Sequence, residues 1–256
     1  MTQATDRSIA SPPRTRRRLA SMALLFATVS ALLLLVPIHD FILAASQPGI
    51  NGYGAVDYNL YMDATRRWLA SGSFYEPYQL VGTYPITVGA ILYPPMALIL
   101  FVPFTMLPAI LWWLIPLTIT VWAVIRLRPA FWTWPFLALC LAWPPTLVKL
   151  VGGNPVLWAV AALALGVIYR GPSVLVLIKP SLFPFALFGV WSRMWWVTLG
   201  TLIAVSLPFG VMWLDWLRTV VNSQGGGLTY SIQEVPMLAL PLIAWTGRRR
   251  VTVACA

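Results

Sequence analysis

Charged residues are scarce in this sequence of 256 residues, making up 9% of it against roughly 25% in an average soluble chain. Hydrophobic residues make up 59%, and windows such as 19–38 and 195–214 contain no charge. A helix that spans a membrane needs about 20 apolar residues, so the chain has room for about seven to nine such segments. The composition excludes a cytosolic enzyme and predicts an all-α integral membrane protein.

Histidine, cysteine and the short motifs of soluble enzymes are also largely missing. The chain has one histidine and two cysteines, Cys140 and Cys255, whose spacing fits neither a zinc site nor a disulfide framework. No nucleophile-elbow, Walker A, H-E-x-x-H or dinucleotide-binding glycine motif occurs in a suitable context. We therefore expect no metal site and no cofactor.

Cations outnumber acids, with 17 lysines and arginines against 7 aspartates and glutamates. They lie in short runs beside apolar windows, such as 14–18 and 248–250, whereas a nucleic-acid-binding protein spreads them over a folded surface. The positive-inside rule places both termini in the cytoplasm. Arginine outnumbers lysine 15 to 2, as is typical of GC-rich bacterial genomes, so we predict a bacterial inner-membrane protein with no nucleic-acid partner.

The apolar windows predict one membrane domain over residues 19–247, between a disordered tail at 1–18 and a cytoplasmic tail at 248–256. The first span, 19–42, is expected to be retained rather than cleaved, because its apolar stretch is too long for a signal peptide and further spans follow. External loops are predicted at 39–89 and 215–235. The other apolar segments are 86–125, 131–147, 155–169, 173–191, 195–214 and 236–245.

Two topologies remain open for the middle of the chain. In the first, 86–125 crosses the membrane once and 172–191 forms a hairpin with Lys179 near its outer tip. All four arginines of this region then face the cytoplasm: Arg126, Arg128, Arg170 and Arg193. In the second, 86–125 crosses twice and the first three of these arginines face outward, which the positive-inside rule disfavours.

The first external loop contains a predicted amphipathic helix at 57–70, which Gly72 ends. Apolar side chains recur there at spacings of three, four and seven residues: Leu60, Tyr61, Ala64, Trp68 and Leu69. The tyrosine and the tryptophan suit a helix that lies at the lipid headgroups.

Four ionisable residues of this helix are considered for function. Asp57, in the first turn, is either an acid stabilised by the helix dipole or a functional carboxylate. Asp63 is expected to pair with Arg67, four residues later. Arg66 and Arg67 either bind a lipid phosphate or extend toward the headgroups.

Two later segments hold polar residues within apolar sequence. A buried Lys179 needs a counter-charge, which is either Asp57 or a substrate phosphate, unless the side chain extends to the membrane surface. Asn154 follows two glycines and is either a helix N-cap or a substrate-binding residue. Lys149 is interpreted as a boundary residue at the end of a span.

The ordered set of motifs resembles glycosyltransferase family 87. The first loop carries D-Y-x-x-Y-x-x-A-x-x-x-W-x-x-x-G-x-x-Y-x-P from Asp57 to Pro77, and Tyr93 begins a YPP motif. Residues 151–171 resemble the family's G-Q-x-N-P segment with its apolar span and Arg-Gly turn, although glycines replace the glutamine. Residues 178–185 resemble its K-P-x-P-L segment. The resemblance covers about residues 20–220 and implies a short or truncated member.

The resemblance implies a GT-C fold and transfer of a hexose, mannose in the family's pattern, from a polyprenyl-phosphate sugar to an envelope glycolipid or glycan at the outer membrane face. Asp57 would be the general base, and Lys179 with Arg66 or Arg67 would face the leaving phosphate. Four further residues would bind substrate: Tyr58, Tyr61, Tyr93 and Asn154. The alternative is a catalytically inactive homologue, or a carrier or scaffold for lipid-linked sugars.

Overall fold

The computed structural model describes residues 13–46, 55–86, 89–224 and 228–249. Most of these residues are helical, which confirms the all-α fold class. The helices are α1 (Pro13–Ser46), α2 (Val56–Ser71), α3 (Pro77–Val81), α4 (Leu98–Phe104), α5 (Leu111–Leu127), α6 (Trp134–Ala142), α7 (Pro144–Gly152), α8 (Val156–Tyr169), α9 (Phe183–Ala186), α10 (Arg193–Ser206), α11 (Met212–Asn222) and α12 (Val235–Thr246). Two short strands, β1 (Tyr84–Pro85) and β2 (Ser223–Gln224), pair in parallel.

The centre of the fold is a group of four helices in which α12 packs against α5, α6 and α8, and α5 packs against α8. Helix α8 is the most enclosed, because most of its side chains are buried between its neighbours. Leu163 on α8 and Leu238 on α12 are completely buried in this core. Helix α1 packs along the outer side of α6, while α2 lies against α4 and α7.

Prolines break the apolar segment 86–125 into a short piece and a long one. Pro94 precedes a single 3₁₀ turn that begins at Pro95, and α4 that follows has only seven residues. Helix α5 is the one extended helix of the segment, with 17 residues.

The segment 172–191 forms a hairpin of short helical turns instead of a continuous helix. A 3₁₀ helix over Pro172–Ile178 leads to Lys179, and α9 begins the return. The chain comes back to Arg170 at Gly189, where an added Cβ would lie 2.7 Å from the Arg170 carbonyl oxygen. Because Gly189 has a φ of +87°, glycine suits this close approach.

The two ends of the helix group differ in charge, because the described acids all lie at one end, where Arg66, Arg67, Arg218 and both lysines pair with them. Five arginines lie at the end where α5, α8 and α12 finish, which we call the basic end: Arg126, Arg128, Arg170, Arg248 and Arg249. The opposite, acidic end holds all five acids whose side chains the structure describes: Asp57, Asp63, Glu76, Asp215 and Glu234. Helix α8 joins the two ends and is about 21 Å long at 1.5 Å per residue.

Among the described residues, no helix alone has the length and apolar character needed to cross a membrane. Two bent pairs reach that length and composition together. Residues Phe131–Ala142 and Pro144–Gly152 meet at 63°, and Arg193–Phe209 and Met212–Asn222 meet at 96°.

The two N-terminal helices differ from their predicted form. Helix α1 begins at Pro13, inside the predicted disordered tail, and continues to Ser46, inside the predicted loop 39–89. Residues 1–12 and 47–54 lie outside the described part. Helix α2 ends at Gly72 as predicted, yet Tyr61 is only 5% exposed because its ring packs on Tyr93 and Phe101. The buried face of α2 therefore contacts protein and not headgroups.

A tight turn joins α7 to α8 and holds the acidic end together. Gly153 ends α7 with a φ of +71°, and Trp112 Nε1 donates to its carbonyl oxygen at 2.7 Å. Trp113 Nε1 donates to the Leu150 carbonyl oxygen at 2.8 Å, and the Ala55 N–H donates to the Val151 carbonyl oxygen at 3.0 Å. The turn is thus fixed by α5 and by the start of α2.

Replacing Gly153 by alanine should destabilise this turn. The new Cβ would lie 2.6 Å from the Trp113 ring and 2.9 Å from Tyr58 Cβ, in a backbone conformation that alanine disfavours. We expect Gly153→Ala to lose about 1–3 kcal/mol of stability, measured by thermal or denaturant unfolding of the purified protein.

Gly200→Ala is the matched control, because its Cβ meets nothing within 4 Å inside α10. It should leave stability unchanged or slightly raised, since alanine favours the helix. Equal stability of Gly153→Ala and Gly200→Ala would contradict the described turn.

Candidate active site

Asp57 and Asn154 form the centre of the acidic end. Asp57 lies in the first turn of α2, and Asn154 follows the turn after α7. Asn154 Nδ2 donates to Asp57 Oδ2 at 2.7 Å, although the two residues are 97 positions apart in sequence. Asp57 is half-buried, and its other oxygen, Oδ1, accepts no hydrogen bond from the described residues. The amide therefore fixes the carboxylate and leaves one oxygen available.

Asn154 is itself held in place on its acceptor side. Its Oδ1 accepts the Val156 N–H at 3.0 Å, as in a helix N-cap, and accepts the Tyr93 hydroxyl at 3.4 Å. This geometry forces the Nδ2 group toward Asp57. The same side chain can therefore cap the helix through Oδ1 and contact Asp57 through Nδ2, so both interpretations of Asn154 are compatible with the structure.

Tyr93 connects Asn154 to the lysine of the hairpin. Its ring lies 5.6 Å from Lys179 Nζ, in the range of a cation–π contact, and its carbonyl oxygen accepts the Tyr75 hydroxyl at 2.9 Å. Burial, followed by the charge of Asp215, raises the pKa of the Tyr75 phenol, so this donor stays protonated. The segment that carries Tyr93 is thereby fastened to the loop after α2.

Lys179 forms a buried ion pair with Glu234, which precedes α12. The Nζ atom donates to Glu234 Oε1, and both side chains are almost fully enclosed, at 7% and 1% exposure. Lys149 Nζ lies 3.8 Å from the same oxygen. The sequence predicted Asp57 or a substrate phosphate as the counter-charge of Lys179, whereas the structure pairs Lys179 with Glu234. Lys149, which was interpreted as a boundary residue, is a member of this cluster. Asp57 is near enough to act on Lys179 electrostatically.

An apolar cavity of about 370 Å³ opens beside this cluster. Lys179 and Tyr93 form its polar end, and Pro155, the neighbour of Asn154, is also part of its wall. The rest of the wall comes from Thr198, Thr201 and apolar side chains such as Leu100, Ile119 and Leu202. Trp158 contributes a buried indole N–H that has no hydrogen-bond partner among the described residues.

The structure does not bring Arg66 and Arg67 to this site. They lie nine and ten residues after Asp57, about 14 Å along the helix at 1.5 Å per residue. Arg66 pairs with Asp63 on the exposed surface, so the predicted pair of Asp63 with Arg67 is wrong. Arg67 binds Glu76 and the carbonyl oxygens of residues 73 and 74. Its guanidinium stabilises the loop and does not face Lys179.

Two of the tyrosines predicted to bind substrate are packing residues. Tyr58 is 7% exposed, its ring contacts Trp112 and Trp113, and its hydroxyl donates to the Phe104 carbonyl oxygen at 3.4 Å. Tyr61 packs in the same aromatic cluster. Tyr93 remains the tyrosine of the predicted set that borders the cavity.

Glu234 is the main residue that sequence reasoning missed. It lies between a polar loop and the apolar sequence of α12, a position where an acid is typical of a helix N-terminus and does not indicate a buried pair. One signal was available: a buried lysine needs a carboxylate partner, and the chain offers few acids as candidates. Its second oxygen, Oε2, is buried without a partner among the described residues.

Comparison with known proteins gives no match: no protein-family model, no curated protein and no solved structure is similar to this chain.

Replacing Glu234 by glutamine should destabilise the protein strongly. Lys179 would keep its charge inside the protein without its carboxylate partner, and removing one member of a buried pair costs about 3–5 kcal/mol. The double variant Lys179→Met/Glu234→Met should lose less than Glu234→Gln alone, because it buries no unpaired charge. Denaturant unfolding of the purified variants measures both.

Asp215→Asn provides the matched control, since Asp215 pairs with Arg218 at the surface at 3.2 Å. Its loss should be about 1 kcal/mol or less. A Glu234→Gln variant as stable as Asp215→Asn would show that the buried pair is absent from the folded protein.

Proposed function

We propose that this chain is a membrane-embedded glycosyltransferase that moves a hexose from a polyprenyl-phosphate sugar to an envelope glycolipid or glycan. The observation that carries the proposal is a series of contacts, from Asp57 through Asn154 to Tyr93, that ends at one apolar cavity, which Tyr93 and Lys179 line. A carboxylate with one available oxygen, a nearby cation and an apolar cavity suit a substrate with an anionic head and a hydrocarbon tail. The sugar is proposed to be mannose, on the resemblance alone.

The proposed chemistry is a single displacement at the anomeric carbon of the donor. The acceptor hydroxyl oxygen attacks this carbon, its proton passes to Asp57 Oδ1, and the bond to the phosphate oxygen breaks with its electron pair. One attack inverts the configuration at the anomeric carbon. The Asn154 amide keeps Oδ2 engaged, so that Oδ1 is presented to the acceptor, and a positioned base typically contributes 10²–10⁴-fold.

Lys179 is proposed to stabilise the charge that grows on the leaving phosphate. It lies at the polar end of the cavity, where such a headgroup would stop. Glu234 keeps this lysine charged and buried before substrate binds. Lys149, 3.8 Å from Glu234 Oε1, provides a second cation for that carboxylate when Lys179 turns to the phosphate.

The membrane placement is part of the proposal. The basic end holds arginines and none of the described acids, so the positive-inside rule favours its placement in the cytoplasm. Asp57 then faces outward, as transfer at the outer face requires. The hairpin 172–191, with Lys179 beside Glu234 at the acidic end, favours the single-crossing topology. The number of spans stays a prediction.

Asp57→Asn should abolish most transfer without unfolding the protein. Asparagine can still contact Asn154 but cannot accept the acceptor proton, so turnover should fall by about 10²–10⁴-fold. The assay uses purified protein, a polyprenyl-phosphate mannose and a mannoside acceptor. Asp63→Asn is the matched control, because Asp63 lies on the same helix in an exposed ion pair.

Equal turnover in Asp57→Asn and the wild type would contradict the assignment of the base. The absence of transfer with any lipid-linked sugar would favour the second candidate, a carrier or scaffold. A specific observation supports that candidate: Lys179 already has a protein partner in Glu234, as a purely structural cation would.

A further inference from the structure

We propose that the basic end carries a binding site for the phosphate headgroup of an acidic phospholipid, formed by Arg126, Arg128, Arg248 and Arg249. The site lies at the other end of the molecule from Asp57. It depends on the proposed membrane placement and is independent of the proposed transfer reaction.

Backbone pairing between two distant segments builds the site. Pro129 and Arg248 form an antiparallel bridge, and the Ala130 N–H donates to the Gly247 carbonyl oxygen at 2.8 Å. The Arg249 N–H donates to the Arg128 carbonyl oxygen at 3.3 Å. These bonds place the residues that follow α5 beside those that follow α12, although about 120 positions separate them. Four guanidinium groups therefore share one surface.

A groove of about 580 Å³ runs between the two segments. Its walls are four arginines and three apolar side chains: Trp122, Ile125, Arg126, Leu127, Arg128, Arg248 and Arg249. Within the described part of the chain, no carboxylate forms a salt bridge with any of these arginines. The groove is thus a concentration of positive charge that the described acids do not neutralise.

Aromatic rings hold two of the guanidinium groups in place. Arg126 lies over the Trp122 ring at 5.5 Å, and Arg248 lies over the Trp245 ring at 4.5 Å. Arg128 adopts a φ of +48°, a conformation that residues other than glycine disfavour. Such strain persists where the surrounding structure fixes it, here through the bridge to the C-terminal segment.

The groove fits a lipid phosphate better than a free anion. Guanidinium groups bind phosphate oxygens in paired hydrogen bonds, which accounts for the headgroup. The same groove exposes 67% of Ile125 and 40% of Trp122, apolar surface that the glycerol and acyl chains of a lipid would cover. Basic pockets at the cytoplasmic side of membrane helices bind acidic headgroups in the same way.

The test measures lipid binding by the full chain in a neutral detergent. Phosphatidylglycerol, phosphatidylcholine and inorganic phosphate are titrated separately, and the thermal unfolding midpoint reports binding. We expect phosphatidylglycerol to stabilise the wild type and phosphatidylcholine to leave it unchanged. Arg128→Gln/Arg249→Gln should bind phosphatidylglycerol about 25-fold more weakly, at roughly fivefold per arginine near a membrane surface.

The matched control is Arg66→Gln/Arg218→Gln, which removes two exposed cations from the acidic end and should keep wild-type affinity. If Arg128→Gln disturbs folding, Arg126→Gln/Arg249→Gln leaves the strained residue intact and should show the same loss.

Three results would overturn the proposal. An equal loss of phosphatidylglycerol affinity in Arg66→Gln/Arg218→Gln would indicate general charge attraction. Equal stabilisation by inorganic phosphate at the same concentration would indicate a site for free anions. No stabilisation by phosphatidylglycerol would exclude the site altogether. A protein that binds phosphatidylglycerol here but transfers no sugar retains this site and loses the proposed function.

Discussion

The contact on which the acidic end depends is the hydrogen bond from the Asn154 amide to the Asp57 carboxylate. It joins helix α2 to the start of the central helix α8, and Asn154 connects it through Tyr93 to the other groups of the candidate site. Tyr93 contacts Asn154, and Lys179 lies over the ring of Tyr93. Without this bond, Asp57 would be an ordinary first-turn acid on α2, with nothing to relate it to the cavity.

Two kinds of ionic interaction at the acidic end serve different purposes. Pairs such as Asp63 with Arg66 are exposed and contribute little to stability. The pair of Lys179 with Glu234 is buried and compensates charges that could not otherwise be enclosed. A buried pair beside a cavity is a poor way to stabilise a protein, because apolar residues would do so at lower cost in desolvation. Its position therefore favours a role in binding an anionic group.

Composition was enough to predict the all-α class, and periodicity with glycine placement predicted helix α2 and its end at Gly72. Asp57, Asn154 and Lys179 were identified as polar residues in or beside apolar sequence, whereas Tyr93 came from the family resemblance. Partners were not predictable: Glu234 stands 55 residues after Lys179, and no local pattern links them. The predicted pair of Arg67 with Asp63 was wrong because Arg67 bonds to Glu76, and this bond forms only when the loop after α2 folds back.

The central claim, that Asp57 faces a lipid-phosphate site from the outer side of the membrane, is tested most directly by labelling. In a chain with Cys140 and Cys255 replaced by serine and Asp57→Cys introduced, a small membrane-impermeant thiol reagent is applied to spheroplasts. The account predicts modification from outside that a polyprenyl phosphate slows and an uncharged polyprenol does not. Modification only after the membrane is opened, or at a rate that the lipid phosphate leaves unchanged, would contradict it.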